Sequence, residues 1–414
     1  MRTVNREGDL SGGRHHAHAA GGIYPPKALT GQVKKGPRRE AVPPSRDLRN
    51  KIEPLLAGAD VRINGGRPWD LRVHNEAFFA SLLADGSLGL GESYMDGWWD
   101  CDRLDEFFHR ILRTNLDGAV RARLDFFDGL RAKVLNLQKP SRAFQVGQRH
   151  YDIGNDVYRA MLDRRMIYSC GYWQQATSLD EAQEAKLELI CRKLQLRPGM
   201  RVLDIGCGWG GTARFVAERY GAEVVGITVS REQLKICRET GRGLPVTFHL
   251  EDYRNLVGRF DRILSIGMFE HVGYKNYAAY FQVARRCLKE GGLFLLHTIG
   301  GNRSRTRIDP WIERYIFPNA VLPSARQISE AVEGSFVIED WHSFGPHYDT
   351  TLMHWFANFQ AKWDDLREEY GDRFHRMWKY YLLSCAGSFR ARKNQVWQIV
   401  LSGDGVPGGY QSIR

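Results

Sequence analysis

The stretch RVLDIGCGWGGTARFVAERY, residues 201–220, carries the pattern from which the fold of this chain follows. Its first five residues are mostly apolar and lead into a turn in which Gly206, Gly208 and Gly211 have the spacing G-x-G-x-x-G. From Thr212 onward the pattern is helical. Glycines between a strand and a helix permit a tight turn and let a bound ligand approach the backbone closely. The stretch therefore predicts a strand, a ligand-binding turn and a helix.

Apolar strands and helices alternate around this turn. Before it, Ser178 and Glu181 carry the signature of a helix capping box. The predicted strands that follow it are EVVGIT (223–228), VTFHL (246–250), DRILSIG (261–267) and LFLLHTI (293–299). Strands that are apolar throughout and separated by helices belong to a parallel sheet covered on both faces. We expect a doubly wound, Rossmann-like α/β sheet whose ligand lies beyond the carboxyl ends of the strands.

Three segments of the chain differ in composition. Residues 1–45 are rich in Gly, Pro and Ala and lack a hydrophobic period, so we predict a disordered basic tail. Residues 46–135 combine short apolar pieces with a helical stretch from Leu104, which predicts a small N-terminal α+β domain. Its apolar residues form either an ordinary core or a patch in contact with lipid. Residues 136–414 contain the predicted sheet.

The composition of the 414 residues excludes several classes of protein. A hydrophobic content of 43% is that of a globular chain with a sizeable core. The sequence has no run of 18 apolar residues and no apolar stretch after a basic start, so we expect a cytoplasmic protein. Its seven cysteines include no C-x-x-C pair, which argues against a disulfide framework and against a zinc ribbon. We predict no metal site.

The net charge of +11 suggests an anionic partner, and much of it is concentrated at the N-terminus. Residues 1–50 carry ten Lys or Arg residues against four acids, which is roughly half of the excess. A solubilising arm is the simplest interpretation. Attraction to an anionic membrane surface is the second, because each basic residue near such a surface contributes about 1 kcal/mol. Binding of nucleic acid is the third.

An acidic residue precedes the glycine turn instead of following the second strand. Enzymes that bind NAD use an acid at the end of the second strand to bond the ribose, whereas GITVSREQ (226–233) ends that strand without one. Asp204 completes the pattern D-x-G-C-G-x-G, a form typical of methyltransferases that use S-adenosylmethionine (SAM). The predicted cofactor contacts in this turn are Asp204, Gly206, Cys207, Gly208, Trp209, Gly210 and Gly211.

Polar residues at two further strand ends extend the predicted cofactor site. Thr228, Ser230 and Gln233 supply hydroxyl and amide groups for the ribose and the methionine end. Asp252 is placed to accept a hydrogen bond from the adenine amine, with Tyr253 beside it. Each of these residues alone is about equally well explained as a helix cap or a surface polar group. Their joint position at strand ends favours the site.

Seven ordered motifs between residues 150 and 392 resemble the cyclopropane-fatty-acyl-phospholipid synthase family of SAM-dependent cyclopropane and mycolic acid synthases. The match covers about residues 46–402, and its N-terminal part resembles the longer bacterial enzymes. The motifs are HYDIGNDVYRAMLDRRMIYSCGYW (150–173), VLDIGCGWGG (202–211), GITVSREQ (226–233), MFEHVG (268–273), LLHTIG (295–300), DWHSFGPHYDTTLMHW (340–355) and YYLLSCAGSFRAR (380–392). The resemblance implies a lipid-associated domain over residues 46–135 and a class I methyltransferase domain over 136–414. It also implies methylene transfer from SAM to the cis double bond of an unsaturated phospholipid acyl chain.

The same resemblance implies the catalytic residues. A carbocation forms on the acyl chain, and a bound bicarbonate removes a proton so that the cyclopropane ring closes. The positions that match the bicarbonate site are Cys170, Glu270, His297, Tyr348 and the backbone of Ile299, and Cys385 matches a further active-site cysteine. In addition, Tyr168 and Ser169 are expected to close over the methionine end of SAM.

Physical chemistry adds three expectations. Aromatic faces stabilise a cation, and those near the strand tips are Tyr168, Tyr172, Trp173, Phe269, Tyr274, Tyr315, Phe317 and Tyr348, any of which is as well explained as tunnel lining. A carboxylate beside an anion is repelled, so either Glu270 carries a proton or the bicarbonate donates its own. His271 is assigned mainly to structure, because alternation points it away from Glu270.

Rival functions stay open at this point. A methyltransferase that makes methyl-branched acyl lipids shares the cation but ends by reduction. A non-catalytic lipid-binding relative would lack Glu270, His297 and Tyr348. A nucleic-acid methyltransferase is disfavoured because MFEHVG stands where an N-P-P-[FY] loop would follow the fourth strand. We expect peripheral docking to the inner, anionic face of the membrane; a homodimer is one option for the oligomeric state.

Overall fold

The structure, a computed structural model, describes residues 46–114 and 154–414. The predicted basic tail at residues 1–45 and the predicted domain boundary at residue 135 lie outside the described residues. Within the described ranges the strands form a two-stranded sheet and a seven-stranded sheet. The strands are β1 (Arg72–Val73), β2 (Trp99–Asp100), β3 (Arg201–Ile205), β4 (Glu223–Thr228), β5 (Val246–Leu250), β6 (Phe260–Ile266), β7 (Leu288–Gly301), β8 (Val337–Ser343) and β9 (Asn394–Ser402).

The large sheet has the order β5-β4-β3-β6-β7-β9-β8. The strands from β3 to β7 are parallel, and β9 runs antiparallel to both of its neighbours, β7 and β8. The order reverses at β3, which has β4 on one side and β6 on the other. In open sheets of this kind, ligands bind beyond the carboxyl ends of the strands at the reversal. The predicted doubly wound α/β fold is confirmed.

Helices cover the large sheet and build the N-terminal part. They are α1 (Arg46–Gly58), α2 (Ala77–Asp85), α3 (Ser87–Met95), α4 (Leu104–Arg113), α5 (Asn155–Met161), α6 (Leu179–Lys193), α7 (Gly211–Tyr220), α8 (Arg231–Thr240), α9 (Tyr277–Cys287), α10 (Pro310–Tyr315), α11 (Ala325–Val332), α12 (Pro346–Ala361) and α13 (Trp363–Arg390). The predicted capping box starts α6, with Ser178 and Glu181 in both reciprocal hydrogen bonds. Gly371 interrupts α13 with a φ of +72°.

Two arginines of α13 join the N-terminal elements to the rest of the chain. Arg376 donates to the backbone oxygens of Tyr94 and Trp99. Arg390 donates to Asp105 in α4 and forms a two-pronged ion pair with Asp349 in α12. Because charged hydrogen bonds with this fork geometry fix orientation, α4, α12 and α13 are held in one arrangement.

A shared hydrophobic cluster fills the space between these elements. It contains the fully buried indoles of Trp99, Trp311, Trp355 and Trp378. Gly387 lets α13 approach α4 closely, since a Cβ there would lie 2.5 Å from the backbone oxygen of Asp105. Among the helices of the described ranges, none combines the length and apolar character needed to cross a bilayer.

Candidate active site

Asp204 lies near the carboxyl end of β3, paired with Gly226 of β4 and Leu264 of β6. Its side chain is buried, and its Oδ2 atom has no hydrogen-bond partner among the described residues. Burial raises the pKa of Asp204 to about 7. A buried carboxyl oxygen without a donor is costly, so this position fits a ligand that brings donors with it.

The glycine turn packs too tightly for side chains at two positions. Gly206 has a φ of +88°, and a Cβ there would lie 2.7 Å from the Cβ of Met268. A Cβ on Gly211, the first residue of α7, would lie 2.2 Å from the backbone oxygen of Arg165. The turn is therefore pressed between residues that follow β6 and the segment that precedes Tyr168.

The remaining residues of the turn have different surroundings. The φ of Gly208 is +56° and that of Gly210 is +80°. Cys207 is buried and, with Gly208, lines the cavity described below, whereas Gly210 does not. The indole Nε1 of Trp209 donates to Asn155 at 3.0 Å, which ties the turn to α5.

The strand end after β4 forms a small hydrogen-bonded cluster. Thr228 Oγ1 donates to Gln233 Oε1 at 2.7 Å, and both residues line the cavity. Ser230 caps α8, because its side chain accepts from the backbone N–H of Gln233. Ser230 is not part of the cavity lining, so the structure places it as a support for Gln233.

The strand end after β5 brings Asp252 and Tyr253 to the cavity wall. Both are buried, and Asp252 accepts hydrogen bonds from the backbone and side chain of Arg254. The pair lies at the same edge of the sheet as Asp204 and Thr228, because β3, β4 and β5 are parallel.

The segment containing Tyr168, Ser169 and Cys170 is clamped between two helices. Gln183 of α6 donates to the backbone oxygens of Ile167 and Ser169. On the other side, the N–H of Gly171 donates to Thr351 Oγ1 of α12 at 3.0 Å.

Tyr168 and Ser169 line the cavity from this clamped segment. The hydroxyl group of Tyr168 lies 2.7 Å from that of Tyr381, and Ser169 Oγ accepts a hydrogen bond from Lys186 at 2.8 Å. The segment is therefore a rigid wall of the site and not a free loop.

Glu270 and Ile299 meet at the ends of neighbouring strands. Glu270 lies in a turn after β6 and is buried, and its Oε1 atom accepts from the N–H of Ile299 at 2.7 Å. Its Oε2 atom has no hydrogen-bond partner among the described residues. Burial raises the pKa of Glu270 to about 7. The N–H that the resemblance assigned to the anion is thus engaged by the carboxylate.

His297 is held in the sheet as a neutral imidazole. It is in register with Ile266 of β6 and Gln398 of β9, and burial lowers its pKa well below the usual range. Its Nδ1 atom lies 3.4 Å from Nε2 of Gln398. A neutral imidazole carries one ring N–H and one acceptor nitrogen. His297 can therefore act as a donor.

Tyr348 stands near Glu270 and both predicted active-site cysteines. Burial raises the pKa of Tyr348 well above its usual range, and the nearby Cys170, Glu270 and Cys385 add to the shift. Tyr348 therefore keeps its hydroxyl hydrogen at neutral pH and can donate it to an anion.

The two cysteines occupy different positions. Cys385 lines the cavity, whereas Cys170 is fully buried outside its lining, with Sγ donating to the backbone oxygen of Gly171 at 3.2 Å. Burial raises the pKa of the Cys170 thiol, and it raises that of Cys385 to about 12. Both thiols are protonated at neutral pH, which argues against a nucleophilic role.

One cavity of about 1840 Å³ connects these groups. Its lining begins at the glycine turn, continues past Glu270, His297, Tyr348 and Cys385, and reaches the N-terminal helices. The apolar residues that line it there are Ile52, Leu55, Leu56, Leu71, Phe78, Leu82, Leu83, Leu88, Leu90, Phe107, Phe108, Ile111 and Leu112. The N-terminal apolar residues thus serve both as core and as cavity wall.

The aromatic residues expected near the reacting carbon divide into two sets. Tyr168, Phe317 and Tyr348 line the cavity. The other five predicted aromatics are absent from its lining, and Phe269 instead stacks on Tyr277 in the core at 4.3 Å.

Sequence reasoning missed several residues of the site. Trp311, Tyr380 and Phe389 line the cavity but do not follow a strand of the parallel sheet, so the strand-end pattern did not mark them, although Tyr380 and Phe389 lie within the motif at 380–392. Gln398 was missed for the same reason. His271 was assigned to structure, yet it lines the cavity, with its ring 5.9 Å from that of Phe317.

The residues at these strand ends fit SAM. Asp204 offers an unpartnered acceptor, Thr228 and Gln233 offer polar groups at the next strand, and the glycine turn gives access to backbone. A parallel sheet of this order with an acid and a glycine turn at the reversal point defines a class I SAM-dependent methyltransferase.

Comparison with known proteins agrees with this class. The family model for mycolic acid cyclopropane synthetase matches residues 138–399. Cyclopropane-fatty-acyl-phospholipid synthase of Escherichia coli strain K12 is 55% identical over 363 residues, which is 87% of this chain and 94% of that protein. The probable fatty acid methyltransferase of Pseudomonas putida is 41% identical over 253 residues, or 58% of this chain and 64% of that protein.

A solved structure supports the same assignment. The crystal structure of mycolic acid cyclopropane synthase CmaA1 complexed with SAH and CTAB has a TM-score of 0.59 and 34% sequence identity to this chain. It covers 62% of this chain and 97% of that one. The chain belongs to the mycolic acid cyclopropane synthetase family, and the predicted resemblance is confirmed.

Proposed function

We propose that the chain transfers a methylene group from SAM to the cis double bond of an unsaturated acyl chain in a membrane phospholipid, forming a cyclopropane ring. The observation that carries the proposal is a single cavity joining the glycine turn, the polar group around Glu270 and an apolar wall. Sites for one small molecule commonly occupy about 300–1,000 Å³. The cavity volume of about 1840 Å³ leaves room for a cofactor and an acyl chain together.

The apolar part of the cavity suits an acyl chain. Its wall comes from α1, α2 and α4, and it includes Leu55 and Leu83, which are 37% and 39% exposed. Exposed leucines that also line a cavity mark a place where an apolar ligand can enter from a lipid phase. The buried members, such as Phe78 and Phe107, exclude water from the chain deeper inside.

Methyl transfer to an alkene needs alignment and a dry site. When bound, SAM supplies an electrophilic methyl group. An alkene is a weak nucleophile, so the enzyme must hold it in line with that group, which is worth several kcal/mol when water is excluded. Positive charge then develops on the acyl chain. The rings of Tyr168, Phe317 and Tyr348 present aromatic faces in the cavity that can stabilise this charge.

Ring closure requires a base near the new methyl group. One C–H bond breaks, its electron pair forms the third bond of the ring, and the proton leaves with the base. Among the described residues Glu270 Oε2 is an unpartnered acceptor in this region, as is Gln398 Oε1, and neutral His297 and Tyr348 can donate. Bicarbonate, whose oxygen would take the proton, fits this mixed set, since Glu270 can accept from its hydroxyl group while the other two donate.

Cationic residues at the cavity support an anionic head group. Arg303, Arg305, Arg307 and Lys393 line the same cavity, and the first two are exposed. Arginine recognises phosphate oxygens through paired donors. Together with exposed Leu55 and Leu83, they support contact with an anionic membrane surface.

Product analysis tests the proposed reaction. The full chain is incubated with mixed unsaturated phospholipids and methyl-labelled SAM, and the masses of the acyl chains are determined by mass spectrometry. A cyclopropane product gains one carbon and two hydrogens, whereas a saturated methyl-branched product gains two hydrogens more. Label in free fatty acids only, or the heavier mass, would overturn the proposal.

Vesicle flotation tests the membrane contact separately. We expect the chain to float with phosphatidylglycerol vesicles at low salt and to be released at high salt, because exposed charge attraction is screened. Failure to float at low salt would rule out docking through basic residues, and it would leave the proposed methylene transfer unaffected.

A further inference from the structure

Lys186 of α6 is a buried lysine that has no acidic partner at hydrogen-bond distance in the described ranges. Its side chain is fully buried, and Nζ donates to Ser169 Oγ at 2.8 Å and to Gln183 Oε1 at 2.7 Å. Both acceptors are neutral. Among the described residues no carboxylate forms an ion pair with Lys186; nearby Asp163 is engaged by the backbone N–H groups of Arg165 and Ile167. Buried charges are normally paired.

The contact with Lys186 decides the direction of the Ser169 hydroxyl. An ammonium group has three donors and no acceptor, so Ser169 Oγ must accept from it. The hydroxyl hydrogen of Ser169 is then directed elsewhere, and it has no acceptor among the described residues. Ser169 lines the cavity, whereas Lys186 lies behind it and does not. A donor backed by a positive charge therefore faces the cavity.

The charge of Lys186 also affects the pKa values of two other groups near it. Burial is the larger cause of both pKa shifts, raising the pKa of Cys170 and lowering that of His297, and the charge of Lys186 acts to lower both. The positive charge thus lies close to Cys170 and His297 as well as to Ser169. An anionic oxygen in the cavity would gain a hydrogen bond from Ser169 and a counter-charge from Lys186.

We propose that Lys186 is a positioning residue: it turns the Ser169 hydroxyl into a donor for the carboxylate of the methionine part of SAM. This inference rests on the SAM binding proposed above. Two anions share this chemistry, the cofactor carboxylate and bicarbonate. The cofactor carboxylate is favoured because Ser169 follows Tyr168 on the wall next to the glycine turn, where Gly211 touches Arg165 of the same segment.

Two ligands separate the cofactor carboxylate from the rest of the cofactor. S-Adenosylhomocysteine carries the carboxylate, whereas 5′-methylthioadenosine has the same adenosine and thioether but lacks the amino-acid end. Binding of both to the full chain is measured by calorimetry. We expect Lys186→Met and Ser169→Ala each to weaken S-adenosylhomocysteine about 10-fold or more, the usual scale for a charge-assisted hydrogen bond. Methylthioadenosine affinity should stay within about 2-fold, because it makes no such bond.

A matched control comes from the same helix. Lys193 is equally buried, but Nζ lies 3.6 Å from Asp340 Oδ2 and 3.0 Å from His342 Nδ1. Lys193→Met should leave the ratio of the two affinities unchanged. The double variant of Lys186 and Ser169 should bind S-adenosylhomocysteine about as well as the weaker of the two single variants. Both substitutions remove the same hydrogen-bond network, so their effects do not add.

Each alternative outcome has a distinct meaning. If Lys186→Met weakens both ligands equally, the residue is structural and the inference is overturned. If neither affinity changes while the bicarbonate concentration needed for turnover rises, the hydroxyl faces the small anion and the cofactor assignment is overturned. If the unaltered chain binds no S-adenosylhomocysteine, the result contradicts the proposed function itself and not only the role of Lys186. Thermal unfolding checks that the variants fold. If Lys186→Met does not fold, the comparison of the two ligands in Ser169→Ala still tests the inference.

Discussion

The backbone N–H of Ile299 donates a hydrogen bond to Oε1 of Glu270 at 2.7 Å. The two residues come from the ends of adjacent strands, β6 and β7, and both belong to the motifs that the resemblance assigns to one anion site. In the structure they bind each other, so Glu270 is oriented by the sheet itself. Its Oε2 atom has no hydrogen-bond partner among the described residues, so it is available to accept from a ligand in the cavity.

Replacing Glu270 by glutamine should lower turnover on the order of 100-fold or more, the scale of a lost acid or base group. The amide keeps an oxygen for Ile299 but cannot take or share a proton at neutral pH. Turnover is measured as transfer of labelled methyl from SAM to phospholipid, with S-adenosylhomocysteine affinity as a folding check. Glu232→Gln, an exposed substitution in α8, serves as the matched control. Unchanged turnover in Glu270→Gln would remove the carboxylate from the mechanism.

The pH dependence of kcat/KM should report Glu270. Burial raises its pKa to about 7, while that of His297 is lowered well below its usual range. If the ionised carboxylate accepts from bicarbonate, kcat/KM rises as the pH passes through 7. His297 is neutral across this window and adds no second step. The Glu270→Gln variant should lose the part of this rise that Glu270 contributes, whereas Asp204, whose pKa burial also raises to about 7, titrates in both proteins. An identical rise in the variant would assign the ionisation to Asp204 or another group.

Asp204 should make the chain less stable at alkaline pH. Its pKa is raised by burial from 3.8 to about 7, so the folded chain holds the proton more tightly than the unfolded chain. The stability that this proton contributes is fully present below pH 4 and is lost as the pH rises through 7. Asp204→Asn avoids this loss, so at pH 8 it should be more stable than the unaltered chain by on the order of 4 kcal/mol.

The same substitution should weaken cofactor binding. An amide offers less negative charge to donors on SAM, so stabilisation by added S-adenosylhomocysteine should be smaller in Asp204→Asn. Thermal unfolding at pH 5 and pH 8, with and without that ligand, measures both effects. Equal melting temperatures of the two proteins at pH 8 would contradict the assigned burial cost.

Two glycines of the turn provide a matched pair for a steric prediction. Gly211→Ala would place a Cβ 2.2 Å from a backbone oxygen of Arg165 and should destabilise by about 3 kcal/mol or more, because backbone cannot move aside cheaply. The Cβ of Gly208→Ala would meet no atom of the described residues within 4 Å, so the change costs only the left-handed backbone conformation, about 1–2 kcal/mol. Denaturant unfolding measures the loss of unfolding free energy in each variant. Equal losses would show that the structure relaxes around the added Cβ of Gly211→Ala and relieves the clash.

Filling the apolar wall should block long acyl chains. Leu82 of α2 lines the cavity and is half-buried, so Leu82→Trp should reduce turnover of long-chain phospholipids and spare S-adenosylhomocysteine binding. Leu48→Trp in α1 is the control, since Leu48 is also half-buried but does not line the cavity. A similar loss in both variants would point to general destabilisation.

The sheet and the cofactor end of the site follow from the amino-acid sequence alone. The periods of strands and helices are local properties, and so is the backbone freedom that Gly206 requires. Both can therefore be predicted from the order of residues in the chain. Parallel strands bring their carboxyl ends to one edge, which is why the strand pattern predicts that Asp204, Thr228 and Asp252 lie together. The anion-site residues, by contrast, are indicated by resemblance to a family and not by spacing.

Which groups face one another depends on the tertiary fold. Tyr348 of α12, Gln398 of β9 and Lys186 of α6 reach the site through packing between elements distant in the chain, which no local pattern encodes. The apolar residues of the N-terminal helices became cavity wall for the same reason. The raised pKa values of Asp204 and Glu270 arise from burial. Burial is a property of the folded surroundings, so the same residues in an unfolded chain would titrate as ordinary acids.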